Sequence, residues 1–287
     1  MARSFERPKT LAAALEILPG RDWTILAGGT DIYPAATQAF AWGRPGPAHI
    51  LDVSAIAGLG AIEETPDEFR IGCLATWTQI AEAGLPGWFD CLRLAGREVG
   101  GAQIQNRGTL AGNICNASPA ADGVPALLAL DARVELCSAA GKRVVSLTDF
   151  ILGNRRTMRR CSELVTAIVV PKRSPNARST FRKLGVRRYL VISITMAAVL
   201  IETGEDGRIH HARIAVGACS EVAARLPALE GALIGKAAGG RLGDVVEDHM
   251  LAPLSPIDDV RASAAYRRKS ALVLVRRALR DLSEGAR

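Results

Sequence analysis

Blocks of hydrophobic and polar positions along the chain predict a mixture of β-strands and α-helices. Apolar runs rich in β-branched residues, each ended by glycine, proline or polar residues, predict strands at residues 22–29, 49–56, 68–75 and 163–171. Two further runs around Ala139-Ala140-Gly141 predict a hairpin over residues 132–147. Later in the chain, residues 191–202 and 210–219 predict two strands joined by a polar, glycine-containing turn.

Helical signals occur between these strands and at the end of the chain. Residues 7–18 predict a short amphipathic helix that begins near Thr10. Residues 76–79, Thr-Trp-Thr-Gln, form a capping-box pattern, in which the first and last side chains satisfy backbone amides at a helix start. Residues 265–282, apolar on one side and basic on the other, predict a terminal helix. Hairpins mixed with helices indicate an α+β fold rather than a doubly wound sheet.

A length of 287 residues, 48% of them hydrophobic, allows two domains with sizeable cores. The stretch 171–180 is rich in proline, serine and basic residues and predicts the boundary between them. No run of about 18 apolar residues occurs, and the first ten residues lack the apolar core of a signal peptide. We therefore expect a cytoplasmic protein without a membrane span.

Cysteine spacing and charge restrict the chemistry further. The six cysteines form no C-x-x-C pair and the histidines have no metal-binding spacing, so we expect no metal or iron–sulfur site in this chain. The net charge is +7, and residues 151–190 hold eleven basic residues but one acidic residue, Glu163. Such a segment is compatible with a solvated face, an anionic cofactor or an acidic partner subunit. Its few aromatic residues, and the lack of a nucleic-acid-binding motif, argue against nucleic acid.

The first predicted strand stops at Gly28-Gly29 and is followed directly by Thr30 and Asp31. Glycines let backbone N–H groups approach a ligand closely, and consecutive N–H groups bind anions such as phosphate. Taken alone, the pattern is more typical of a tight turn than of a phosphate-binding loop.

A second stretch, residues 105–130, predicts another glycine-rich polar loop. Its glycines, hydroxyls, amides and carboxylate are the groups that bind phosphate and ribose oxygens; they are Gly108, Thr109, Gly112, Asn113, Asn116, Ser118 and Asp122. Two such loops in one domain favour a dinucleotide site. The chain has no G-x-x-x-x-G-K-[ST], no complete G-x-G-x-x-G before a helix and no G-x-S-x-G. A P-loop, a Rossmann-type glycine loop and a serine hydrolase motif therefore lack support.

Three motifs in order resemble a known family. AGGTD at 27–31, QNRGTLAGNICNASPAAD at 105–122 and FRKLGVRR at 181–188 resemble the flavoprotein subunits of the molybdenum hydroxylases, including xanthine dehydrogenase and aerobic carbon monoxide dehydrogenase. The resemblance extends over nearly the whole chain. It implies a two-lobed FAD-binding domain at residues 1–172, with lobes of about 1–55 and 56–172. A smaller α+β C-terminal domain would follow at residues 178–284.

The resemblance also implies roles for matching positions. The strand end from Ile25 to Ile32 would wrap the FAD pyrophosphate, and the second loop would complete the cradle. Val165 would present backbone to the polar edge of the flavin, Lys183 would stabilise negative charge on its pyrimidine side, and Ile192 would pack on a ring face. The implied cofactor-binding residues are Ile25, Leu26, Ala27, Gly28, Gly29, Thr30, Asp31, Ile32, Gly108, Thr109, Gly112, Asn113, Asn116, Asp122, Val165, Lys183 and Ile192.

The function that the resemblance implies is electron transfer, with no catalytic acid or base in this chain. A large molybdopterin-binding partner would hydroxylate an organic substrate, and a small [2Fe–2S] partner would pass single electrons to FAD here, in a dimer of heterotrimers. Quinone, oxygen and NAD are the possible acceptors; Leu190 and Val191 replace acidic residues of the NAD-reducing relatives. A standalone FAD-dependent oxidase and a non-catalytic nucleotide-binding regulator are the alternatives.

Overall fold

The computed structural model describes residues 4–188, 190–239 and 241–284. The strands in these ranges are β1 (Ser4–Glu6), β2 (Thr24–Leu26), β3 (His49–Asp52), β4 (Ile62–Glu64), β5 (Glu68–Gly72), β6 (Arg133–Ser138), β7 (Gly141–Ser146), β8 (Ile151–Gly153), β9 (Arg156–Thr157), β10 (Leu164–Pro171), β11 (Ala177–Leu184), β12 (Thr195–Thr203), β13 (Ile209–Gly217) and β14 (Ala224–Arg225). The helices are α1 (Leu11–Ile17), α2 (Ile32–Ala41), α3 (Trp77–Glu82), α4 (Asp90–Arg97), α5 (Ala102–Gln105), α6 (Leu110–Asn116), α7 (Gly123–Ala129), α8 (Leu147–Phe150), α9 (Pro227–Leu233) and α10 (Ala264–Glu284). The mixture confirms the predicted α+β class.

Two larger sheets and the short β8–β9 hairpin form the N-terminal part of the molecule. The first is a parallel sheet with β3 between β1 and β2, and the second is an antiparallel sheet in the order β4-β5-β10-β6-β7. Local signals set several of these elements. Thr10 accepts a hydrogen bond from the amide of Ala13 (3.2 Å) at the start of α1, and the capping box of Thr76 and Gln79 is formed at the start of α3. Both predicted helix starts are therefore confirmed.

The C-terminal sheet, in the order β11-β12-β13-β14, is covered on both faces. Helices α4 and α7 of the second lobe pack on one face, and α9 and α10 pack on the other. Along β12, Met196, Ala198 and Leu200 belong to the core shared with the second lobe, whereas Ala197 and Val199 belong to the core beneath α10. Burial on both faces explains why this strand is continuously apolar rather than alternating.

A cluster of charged side chains joins the second lobe to the C-terminal sheet. Asp131, which follows α7 and has a φ of 51°, accepts hydrogen bonds from Arg173 (2.6 Å), Arg213 (2.9 Å) and Arg225 (2.8 Å). Burial alone would raise the pKa of Asp131, but hydrogen bonds from His211, Arg213 and Arg173 hold it well below its usual range. The carboxylate is therefore a charged link between the two parts of the fold.

Some local predictions were wrong at their edges. The predicted strand at 191–202 begins only at Thr195, and the predicted strand at 68–75 ends at Gly72. The run after Asp31 forms α2, a helix that the sequence pattern did not predict. Within the described ranges, no helix is both long and apolar enough to cross a membrane.

Candidate functional site

A cavity of about 510 Å³ lies between the first and second lobes. This volume is in the range of small-molecule and cofactor sites. Thirteen of the residues implied by the motifs line it: Ile25, Ala27, Gly28, Gly29, Thr30, Asp31, Ile32, Gly108, Thr109, Gly112, Asn113, Asn116 and Val165. Both glycine-rich motifs thus meet at one cavity, although about 75 residues separate them in the chain.

Close backbone contact between the lobes depends on Gly28. A Cβ atom on this residue would lie 1.9 Å from the carbonyl oxygen of Arg107, so no other residue fits without moving one of the two loops. Gly108 lies against Thr30 across the same contact, because a Cβ atom there would be 3.5 Å from the threonine hydroxyl. The neighbouring Gly29 has a φ of +77°, a left-handed conformation that favours glycine.

A polar bridge closes the contact between the lobes. The side-chain amide of Asn116 donates a hydrogen bond to Asp31 over 3.0 Å. Burial raises the pKa of Asp31, and the positive charge of Arg155 acts in the opposite direction. One carboxylate from the first lobe is therefore held next to an amide and a cation of the second lobe.

The second motif is mainly helical, which differs from the predicted loop. Thr109 is the N-cap of α6, and its hydroxyl accepts a hydrogen bond from the amide of Gly112 over 3.0 Å. Gly112, Asn113 and Asn116 lie on this helix. The side-chain oxygen of Asn113 accepts a hydrogen bond from the amide of Gly123 over 3.2 Å, so this side chain also supports the start of α7.

Four of the implied residues lie outside the cavity lining. Leu26 is buried, and Ile192 is 52% exposed. Lys183 donates to Asp122 over 2.8 Å and to the carbonyl oxygen of Glu98 over 3.2 Å. Asp122 also accepts a hydrogen bond from the hydroxyl of Ser193 over 2.8 Å. Burial raises the pKa of Asp122, and the positive charge of Lys183 acts in the opposite direction. The structure thus brings Asp122 and Lys183 together as a buried ion pair, and their contact with the cofactor stays a prediction.

The cavity also has wall residues that the motifs did not identify. These include aromatic, thiol and cationic side chains, namely Trp23, Trp77, Cys73, Cys115, Arg155 and Arg159. In the sequence, the two arginines belong to the basic segment at 151–190, which is compatible with binding of an anionic cofactor. The cysteine spacing predicts only scattered buried thiols, and nothing in it indicates that two of them share a cavity wall. No group of three or more His, Cys, Asp or Glu side chains in the described part of the chain is arranged to hold a metal ion.

Fold and cavity together define a class of protein. Backbone amides next to glycines at a lobe interface, with hydroxyls, amides and cations around them, suit a phosphate-bearing dinucleotide cofactor. With the α+β domain that follows, the chain has the arrangement of a two-domain flavoprotein.

Comparison with known proteins gives the family. The model of the FAD-binding domain in molybdopterin dehydrogenases matches residues 2–173, and the model of the carbon monoxide dehydrogenase flavoprotein C-terminal domain matches residues 179–282. The chain belongs to this family of molybdenum hydroxylase flavoproteins and is an oxidoreductase subunit with FAD as its cofactor. The resemblance drawn from the three motifs is therefore confirmed.

Individual relatives agree over the full length. The chain is 29% identical to the nicotine 6-hydroxylase medium subunit of Paenarthrobacter nicotinovorans, over 99% of this chain and 97% of the relative. It is 30% identical to the glyceraldehyde dehydrogenase medium chain of Sulfolobus acidocaldarius, over 98% of each chain. Among solved structures, carbon monoxide dehydrogenase from Oligotropha carboxidovorans matches with a TM-score of 0.90 and 27% identity, over 99% of this chain and 98% of that chain.

Proposed function

We propose that this chain is the electron-transfer subunit of a molybdopterin hydroxylase or dehydrogenase. The bound FAD would accept single electrons from a [2Fe–2S] partner and deliver pairs of electrons to an external acceptor. The observation that carries the proposal is the meeting of two glycine-rich motifs at one cavity between the lobes. The amides of Gly28 to Asp31 and the polar groups from Gly108 to Asn116 would hold the pyrophosphate, and Val165 would face the flavin.

The contents of the cavity favour electron transfer over substrate chemistry. Its described titratable lining residues are Asp31, Cys73, Cys115 and two arginines, without a histidine. Burial raises the pKa of Cys73 to about 12 and that of Cys115 to about 11, so both thiols stay protonated at neutral pH. A standalone oxidase needs a base or nucleophile next to its substrate; neither thiol supplies one, and the Asp31 carboxylate is already held by the amide of Asn116.

The proposed assembly places substrate chemistry on other chains. Relatives of this chain bear the names medium subunit or medium chain, which supports a complex with a large and a small subunit. We propose a large molybdopterin-binding subunit and a small [2Fe–2S] subunit as partners, in a cytoplasmic dimer of heterotrimers. The division into domains at residues 1–172 and 178–284 is part of the same proposal.

Anaerobic mixing of the FAD-loaded chain with its pre-reduced [2Fe–2S] partner tests this function. Loss of the visible absorption of oxidised flavin, together with reoxidation of the partner's cluster, would support electron transfer. A flavin that stays oxidised beside a reduced partner would refute it. Oxidation of a substrate by this chain alone would favour the standalone oxidase instead, and a chain that binds only nucleotides without flavin would favour the regulator.

A further inference from the structure

The segment between β9 and β10 is held in one conformation by a buried carboxylate. Glu163 is only 4% exposed, and Arg143 donates to both of its oxygens, over 2.6 and 2.8 Å. The amide of Arg160 donates to the same carboxylate over 2.8 Å. The hydrogen bonds from Arg143 lower the pKa of Glu163, so the pair is charged at neutral pH. Such a fully bonded carboxylate fixes the residues around it.

Arg159 lies on this fixed segment and lines the cavity. Its Nη1 donates to the carbonyl oxygens of Glu163 (2.8 Å) and Arg160 (3.0 Å), so the guanidinium is attached to the backbone just before Val165. The positive charge of Arg159 lies close to Cys115, another residue of the cavity wall. Burial raises the pKa of Cys115 to about 11, and the Arg159 cation acts against that rise. A positive charge is thus positioned at the part of the wall that contains Cys115 and Val165.

The distribution of charge singles out this arginine. Among the described lining residues the cations are Arg155 and Arg159, and the only carboxylate is Asp31. Arg155 interacts electrostatically with Asp31, so its charge is partly balanced by the protein. Lys183, the cation that the motifs implied for the flavin, is paired with Asp122 outside the lining. Arg159 instead bonds to neutral carbonyl oxygens and keeps its full charge for a ligand.

We propose that Arg159, in addition to the expected Lys183, is a cation that stabilises the negative charge of the reduced flavin. The inference rests on the proposed function, which places the polar edge of the flavin at Val165. Uptake of two electrons and one proton by oxidised flavin leaves one negative charge on the ring; the partner subunit supplies the electrons and water the proton. A fixed cation in a partly buried wall lowers the energy of that charge and so raises the reduction potential.

The test is the midpoint potential of FAD bound to purified variants, measured by reductive titration against reference dyes. In Arg159→Gln we expect the preference for reduced over oxidised flavin to fall about tenfold, which is a potential lower by about 30 mV. Arg159→Lys keeps the charge and should stay near the wild-type value. Arg160→Gln is the matched control, because that exposed side chain lies outside the lining and its backbone bonds are retained.

The other outcomes are also decisive. An unchanged potential in FAD-loaded Arg159→Gln would overturn the inference. Equal loss of affinity for FAD and ADP without a shift in potential would overturn it too, since Arg159 would then bind phosphate. A wild-type chain that binds no FAD would overturn the proposed function as well. Arg159→Met supplies a second uncharged variant if the glutamine variant fails to fold, with circular dichroism as the check.

Discussion

Removal of the Lys183 side chain would expose the energetic role of the buried ion pair beside the site. The side chains of Lys183 and Asp122 are only 5% and 10% exposed, and their charged atoms are 2.8 Å apart. Lys183→Met leaves a buried carboxylate without its cation. In comparable pairs this change lowers the free energy of unfolding by about 3 to 5 kcal/mol. Because Ser193 still donates to Asp122, we expect the lower end, about 3 kcal/mol at neutral pH.

The loss of unfolding free energy in Lys183→Met should become smaller as the pH falls. Burial raises the pKa of Asp122, and Lys183 opposes that rise. Without Lys183 the folded-state pKa rises further above its unfolded value. A carboxyl group with a raised pKa destabilises the folded state above that pKa, and the penalty disappears as it takes up a proton at lower pH. The difference between variant and wild type should therefore be largest at neutral and higher pH and should shrink as the solution is made more acidic.

Urea unfolding followed by tryptophan fluorescence measures both effects. Lys142→Met is the control: Lys142 is 60% exposed and 3.8 Å from Glu135, which keeps its closer partner Arg70 at 2.7 Å, so the loss should be less than about 1 kcal/mol. The double variant Asp122→Asn, Lys183→Met should recover part of the loss, because no buried charge is left. A loss below about 1 kcal/mol for Lys183→Met, or one that does not vary with pH, would refute the reasoning.

Three further substitutions test other contacts. Gly28→Ala puts a methyl group 1.9 Å from a carbonyl oxygen of the second lobe, so FAD affinity in equilibrium dialysis should fall about tenfold or more. Gly84→Ala, where an added Cβ meets nothing within 4 Å, should leave the FAD affinity unchanged. Equal FAD affinities of Gly28→Ala and the wild type would contradict a role of Gly28 in the binding cavity. Asp131→Asn should lower the free energy of unfolding in urea by about 2 kcal/mol at neutral pH. Because the folded-state pKa is depressed, that difference should decline as pH falls below about 4, and a pH-independent difference would count against the charged link. Asn116→Ala removes the 3.0 Å bond to Asp31 and should weaken FAD binding about fivefold in the same dialysis assay, whereas unchanged binding would show that the bridge is dispensable.

Local signals in the sequence were sufficient for much of the fold. The hydroxyl of Thr10 and the capping box at Thr76 act within one helical turn, so their geometry is encoded by neighbouring residues. The hairpin of β6 and β7 follows from two β-rich runs around a glycine. The meeting of the two glycine motifs was predictable only through their joint resemblance to a family, since neither motif specifies a partner about 75 residues away.

The remaining features depend on contacts that the local pattern does not contain. By pattern, Lys183 is a solvated lysine in a basic run, and its burial follows from the packing of β11 beside Asp122. The amide side chains of α6 are typical of a loop by pattern, because the partners of Asn113 and Asn116, which are Gly123 and Asp31, belong to other elements. Arg159 is one of eleven basic residues in its segment, and only the fold shows that it reaches the cavity wall.

The most direct test of the central claim is a visible absorption spectrum of the purified chain, expressed alone and with its partner subunits. We expect the bands of oxidised flavin, their loss on addition of dithionite, and release of one FAD per chain on denaturation. A protein that stays colourless after FAD is added, even in the presence of its partners, would contradict it.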